Sequence, residues 1–163
     1  MHNYQSKTIQ TTASSSRNPN YAICIPAALM GGALLVTYFL LITLMGYEDV
    51  TGLRFINFIL LIPVIIYALS TYVNTVHKKS YMEAFRVSVL SFMGSYAILA
   101  VFMFIYLMVL NPDFLTYLQA KLPTLKLNAF GVAALLMGEG GIGAVVLTFV
   151  AMQHFKTRIR KVI

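Results

Sequence analysis

Four long stretches of this chain carry almost no charge. No Asp, Glu, Lys or Arg lies between Arg17 and Glu48, between Arg54 and Lys78, or between Arg86 and Asp113, and between Lys126 and Lys156 there is only Glu139. Each stretch exceeds the roughly 20 apolar residues that cross a hydrocarbon core about 30 Å thick. Inside lipid the backbone polar groups have to be bonded within the protein, so these runs read as membrane-spanning α-helices. They are solid instead of alternating, which argues against a closed β-barrel.

The expected architecture is therefore an all-α, integral membrane four-helix bundle with spans at about 22–45, 55–73, 85–110 and 129–152. With 59% of its 163 residues hydrophobic, the chain is filled by these spans and their connections, which leaves no room for a separate soluble domain. Residues 1–20 are polar around Thr11-Thr12-Ala13-Ser14-Ser15-Ser16 and read as a disordered tail. Residues 21–155 form the membrane domain, and 156–163 a basic tail. The first run is too long for a signal-peptide core and is expected to stay as an anchor.

Basic residues orient the bundle. The N-tail, the second connection and the C-tail hold Lys7, Arg17, Lys78, Lys79, Arg86, Lys156, Arg158, Arg160 and Lys161, while the opposite side holds Arg54, Lys121 and Lys126. An even number of spans with this bias predicts both termini in the cytoplasm. The same positions explain the net charge of +7: Lys and Arg flank the spans, where they meet anionic lipid headgroups. No basic face with aromatic platforms is present, so nucleic-acid binding is not expected.

Local signals refine the spans. Pro26 is expected in the first turn of span 1, where a missing N–H is tolerated. Ala27 with Gly31 and Ala28 with Gly32 put small residues four apart, a spacing that lets another helix approach closely. Span 2 carries Asn57 near its start and Pro63 in its interior, where a kink is expected. Ser80-Tyr81-Met82-Glu83 has the pattern of a capping box, and Ser88, Ser91 and Ser95 then share one helix face suited to packing. Asn111-Pro112-Asp113 ends span 3 and starts a new helix. Phe114, Leu115, Leu118 and Leu122 follow at helical spacing up to Pro123, which favours a short amphipathic helix in the headgroup region between spans 3 and 4 over an ordinary loop with apolar contacts.

Glu139 is the one charged residue inside a span. It lies 13 positions from Lys126 and 17 from Lys156, or roughly 20 and 26 Å along a helix at about 1.5 Å per residue, so near mid-membrane. A charge there costs on the order of 3 kcal/mol on insertion scales, which apolar neighbours at about 0.3–0.6 kcal/mol each can offset. Gly138, Gly140, Gly141 and Gly143 surround it and permit close helix approach, a kink or an unwound segment. Three roles stay open: a hydrogen bond across the bundle to Asn57, Tyr96 or a serine of span 3; a proton or cation site in a small transporter; or a contact with a basic residue of a partner protein.

Enzyme chemistry finds little support. His2, His77 and His154 fall in tails or loops, with no HExxH, no paired carboxylates and no nucleophile elbow. The lone Cys24 excludes an intramolecular disulfide and a thiolate zinc site. No cofactor or metal is expected. A comparison with small multidrug transporters fails, because they carry their essential Glu in the first span and are shorter.

A different likeness covers spans 1–4, with its specific residues around span 3. Ser80-Tyr81-Met82-Glu83-Ala84-Phe85-Arg86-Val87 leads into a span ending at Tyr106, with Asn111-Pro112-Asp113-Phe114-Leu115 after it. In this the chain resembles the four-span bacterial membrane family of unknown function numbered forty-one ninety-nine. The resemblance implies a bacterial cytoplasmic (inner) membrane protein; it supplies no activity and no role for Glu139. The expected function is that of a non-enzymatic accessory or scaffold component, packing as a homo-oligomer or with a larger membrane protein. The alternative is an oligomeric proton- or cation-coupled small transporter that uses Glu139.

Overall fold

The structure is a computed structural model that describes residues 19–46, 53–76, 80–121 and 128–160. All the elements in these residues are helical: α1 (Pro19–Leu44), α2 (Leu53–Thr75), α3 (Tyr81–Ile105), a π-type turn Tyr106–Leu110 continuous with α3, α4 (Pro112–Lys121) and α5 (Ala129–Arg160). Stretches of α1, α2, α3 with its π-turn, and α5 are each long and apolar enough to cross a membrane. The connection before α2, the basic one around Lys78, residues 1–18 and residues 161–163 lie outside the described residues.

Two boundaries differ from expectation. Helix α1 begins at Pro19, inside the segment read as tail, so Pro26 sits about two turns in. Pro19 takes the opening position, where its fixed φ suits a helix start. Helix α5 runs on to Arg160, through the start of the segment read as a basic tail, whereas α3 begins at Tyr81, directly after the Ser80 cap position that the sequence pattern marks. The expected Ser80–Glu83 capping box does not form, and Ser80 makes no side-chain cap. Instead the Ser80 N–H donates to Tyr72 Oη at 3.1 Å, and Tyr72 Oη donates to Glu83 Oε2 at 3.0 Å, with the Ser80 carbonyl as second acceptor at 3.3 Å. A fully buried tyrosine hydroxyl, donor and acceptor at once, thus stands between the two groups that the box would have joined.

Other ends follow the rules of helix termini. Gly46, with φ of +72°, closes α1 in the left-handed conformation, and its N–H donates to the Thr43 carbonyl at 3.1 Å. Asn111 Oδ1 accepts from the Phe114 N–H at 3.1 Å and caps α4 as expected. Asn128 does the same for α5, accepting from the Gly131 N–H at 2.6 Å. Between α3 and α4 the Asn111 N–H reaches back to the Tyr106 carbonyl at 2.8 Å, which makes the last turn of the third span a π-turn.

The broadest interface joins α1 and α3, which run in the same direction. Cys24 Sγ donates to the Val87 carbonyl at 3.6 Å, Ser95 Oγ to the Ala28 carbonyl at 3.3 Å, and the Phe39 ring meets Phe102 and Tyr106 at 6.1 and 5.2 Å. Small residues make the approach possible. A Cβ on Gly31 would collide with Ser95 Oγ, one on Gly32 would lie 2.7 Å from Ile98, and one on Gly94 would lie 2.7 Å from Ala28. Ser88, Ser91 and Ser95 are fully buried, each donating to the carbonyl four residues back at 3.0, 2.7 and 2.9 Å. The serine face is thus a packing seam whose hydroxyls are satisfied locally.

Candidate functional site at Glu139

Helix α5 runs antiparallel to α3: Gly140 lies on the Tyr96 ring and Phe149 meets Phe85 at 5.3 Å. Its inward stripe contains Ala129, Val132, Gly140, Ala144, Thr148, Met152 and Phe155, all buried and recurring at helical spacing. Glu139 borders this stripe and is half-buried. On one side of it Gly140 and Gly143 are closed off, since a Cβ on either would collide with the Tyr96 or the Phe58 ring. On the other side Gly138 is exposed, with no atom within 4 Å of where its Cβ would stand, and Ile142 is 72% exposed. Gly141 is intermediate, its nearest neighbour being Met93 Cε at 3.9 Å.

The packing glycines named from the sequence therefore fall into two groups. Gly31, Gly32, Gly140 and Gly143 are used within the chain, whereas Gly138 faces outward. No unwound segment occurs: α5 is helical throughout the cluster. Of the partners expected for Glu139, none makes a hydrogen bond to it, and Tyr96 alone is shown to interact with it electrostatically. Asn57 is half-buried and makes no hydrogen bond to Glu139, and the three serines bond within α3 and toward α1. Among the described residues Glu139 makes no hydrogen bond or ion pair. Its carboxyl does lie within electrostatic range of Tyr96.

Tyr96 is the residue whose importance sequence reasoning understated. It is 1% exposed, and its Oη has no hydrogen-bond partner. The ring is fixed by near-parallel stacking on Phe92 at 5.3 Å and by Phe58 at 6.1 Å, and Phe58 and Phe92 are 6.5 Å apart. The three rings come from α2 and α3 and form a rigid wall against which the Gly140–Gly143 edge of α5 rests. An unpartnered hydroxyl in a buried site is costly, by about 1–3 kcal/mol, and calls for an explanation. Glu139 of α5 is the ionisable group that acts on it electrostatically. The signal was available in outline: the positions of Phe92 and Tyr96 are one helical turn apart, but Phe58 joins them only through the fold.

Among the described residues no three of His, Cys, Asp and Glu gather where they would hold a metal ion. No family model, curated protein or solved structure matches this chain. Fold and site together define a helical bundle with four helices long and apolar enough to cross a membrane, with the half-buried Glu139 at the edge of the fourth.

Proposed function

We propose that this chain is a non-enzymatic accessory or scaffold component of a membrane complex, assembling with itself or with a larger membrane protein through the outer face of α5. What supports this reading most is the open Gly138 beside Glu139. Gly31, Gly32, Gly94, Gly140 and Gly143 are filled from within, while Gly138 presents bare backbone next to an ionisable group that makes no hydrogen bond or ion pair among the described residues. Helices α5 and α1 bury less of their apolar length than α2 and α3, and α5 least of all. The setting we propose is a bacterial cytoplasmic membrane, as the family resemblance implies. Both termini lie inside, anionic headgroups meet the basic flanks, and α4 rests in the headgroup layer with Phe114 and Leu118 turned into the bundle.

The test is purification of the tagged chain from its native membrane in mild detergent, with mass spectrometry of whatever elutes in fixed ratio. A stoichiometric partner or a homo-oligomer that Gly138→Leu disperses, with the fold intact, is the expected result. A monomer, or an assembly indifferent to Gly138→Leu, contradicts the reading. A second reading, a proton- or cation-coupled small transporter, is favoured by one observation: the orphaned Tyr96 hydroxyl, on which Glu139 acts electrostatically.

A further inference from the structure

We propose that the groove between α3 and α5 at the basic end of the bundle binds one anionic phospholipid, its phosphate held by Arg86 and Lys156 and an acyl chain lying along Leu90, Val145 and Phe149. The inference rests on the membrane reading above and narrows a general attraction of headgroups to basic flanks down to one bounded site. It stands whether or not the outer face of α5 meets another protein.

Charge supplies the first argument. Of the chain's five acids, Glu48, Asp49 and Asp113 belong to the opposite end of the spans and Glu139 lies in mid-span, so Glu83 is the acid at this end. It accepts from Tyr72 Oη at 3.0 Å. Against it residues 78–86 carry three Lys and Arg and residues 156–161 carry four. The chain's own acids cannot neutralise this end, whereas an anionic headgroup can. Arg86 and Lys156 are both exposed, and neither makes an ion pair among the described residues. Arg86 also stands five positions inside α3, about 7 Å along the axis, within an apolar span. A cation at that depth needs an anion or has to reach back to the surface.

Shape supplies the second argument. Arg86, Leu90 and Met93 recur at helical spacing on one face of α3, and Gly141, Val145, Phe149 and Lys156 on one face of α5. The helices meet at both ends of this stretch. Met93 Cε is 3.9 Å from where a Gly141 Cβ would stand, and the Phe85 and Phe149 rings are 5.3 Å apart. Between these contacts Leu90 and Val145 are exposed, and at the inner end Gly141 adds no side chain. Lys156 lies 15 positions from Gly141, roughly 22 Å along a helix. A bilayer with its headgroups is about 40–45 Å thick, so the groove is one leaflet deep. A free phosphate would use the cations and none of the apolar groove, and an apolar partner helix would leave the cations unpaired.

The experiment is native mass spectrometry of the full chain, delipidated in mild detergent and titrated with phosphatidylglycerol or with phosphatidylcholine of the same acyl chains. The proposal predicts one phosphatidylglycerol per chain, bound about tenfold more tightly than phosphatidylcholine. Arg86→Gln and Lys156→Gln should each weaken phosphatidylglycerol about fivefold and leave phosphatidylcholine unchanged. Lys161→Gln removes the same charge from the same end but outside the groove, and should change neither. Gly141→Leu fills the inner end of the groove and should weaken both lipids. Slow maleimide labelling of buried Cys24 checks that each variant is folded. Should Gly141→Leu unfold, the charge variants still decide the matter. Equal affinity for the two lipids would overturn the headgroup assignment. Equal losses from Lys161→Gln and Arg86→Gln would overturn the site in favour of a diffuse basic surface. Displacement of bound phosphatidylglycerol by inorganic phosphate at similar concentration would overturn the lipid in favour of a free anion. Lipid is counted per chain in monomer and assembly alike, so failure here and failure of the assembly reading are separate results.

Discussion

Two neighbouring glycines offer a direct test of how α5 is seated. Consider alanine at Gly140 and, separately, at Gly138. At Gly140 the new methyl would stand 2.7 Å from Tyr96 Cβ and Cδ1, so the ring or the helix has to move. The ring is held by Phe92 and Phe58 and is 1% exposed, so little relief is at hand. Overpacking of this kind costs about 1–3 kcal/mol. At Gly138 nothing lies within 4 Å. Both sites are helical and each substitution gains a similar amount in helix propensity, about 1 kcal/mol by soluble-protein measures. That gain cancels in the comparison and leaves the steric contribution alone. The two variants should therefore differ by about 2 kcal/mol, roughly thirtyfold in the unfolding equilibrium, with Gly140→Ala the weaker. The chain lacks tryptophan but has one buried thiol, so maleimide labelling of Cys24 during denaturing-detergent titration is a suitable readout. Equal stability of the two variants, or the reverse order, would refute this placement of α5 against the aromatic wall.

Other perturbations probe the remaining elements by the same Cys24 readout. Gly143→Val should destabilise the fold more than Gly141→Val, because Phe58 already fills the space over Gly143, while Met93 Cε is 3.9 Å from where a Gly141 Cβ would lie. Tyr72→Phe removes the hydroxyl that links Ser80 and Glu83 and should cost about 1–3 kcal/mol; Ser80→Ala, whose side chain caps nothing, should be close to neutral. Asn111→Ala should cost about 1 kcal/mol through loss of the α4 cap, with Asn111→Asp restoring much of it. Glu139→Gln should insert and fold as the wild type does, leaving Cys24 protected; rapid labelling of Cys24 in that variant would show that the carboxyl is structural.

What the sequence conveyed well was hydrophobic length. The four runs correspond to the four long apolar helices, because a hydrocarbon solvent leaves a long apolar segment few alternatives to helix, though α5 continues eight residues past the end of its run. The Asn111 cap was legible for the same kind of reason, since its partner lies three residues away. The capping box was misread because its competitor, Tyr72, arrives from the preceding helix and no local pattern announces it. The π-turn after Ile105 was invisible, as it depends on how the Asn111 N–H finds the Tyr106 carbonyl. At the candidate site Glu139 was conspicuous by composition alone. Which glycines would be filled and which left bare depends on the rotation of α5, fixed by Phe58 and Tyr96 on other helices. A glycine cluster on all sides of an acid cannot reveal that rotation by itself.

The central claim is that the Gly138–Ile142 side of α5 meets another protein. The most direct measurement is cysteine cross-linking in native membranes with Cys24 replaced by Ser. A single reporter is placed at Ile142, 72% exposed on α5, or at Leu29, 60% exposed on α1. The account predicts a protein adduct from position 142, to a second copy or to a larger partner, and none from position 29. Adducts from both in equal yield, or from position 29 alone, would contradict it.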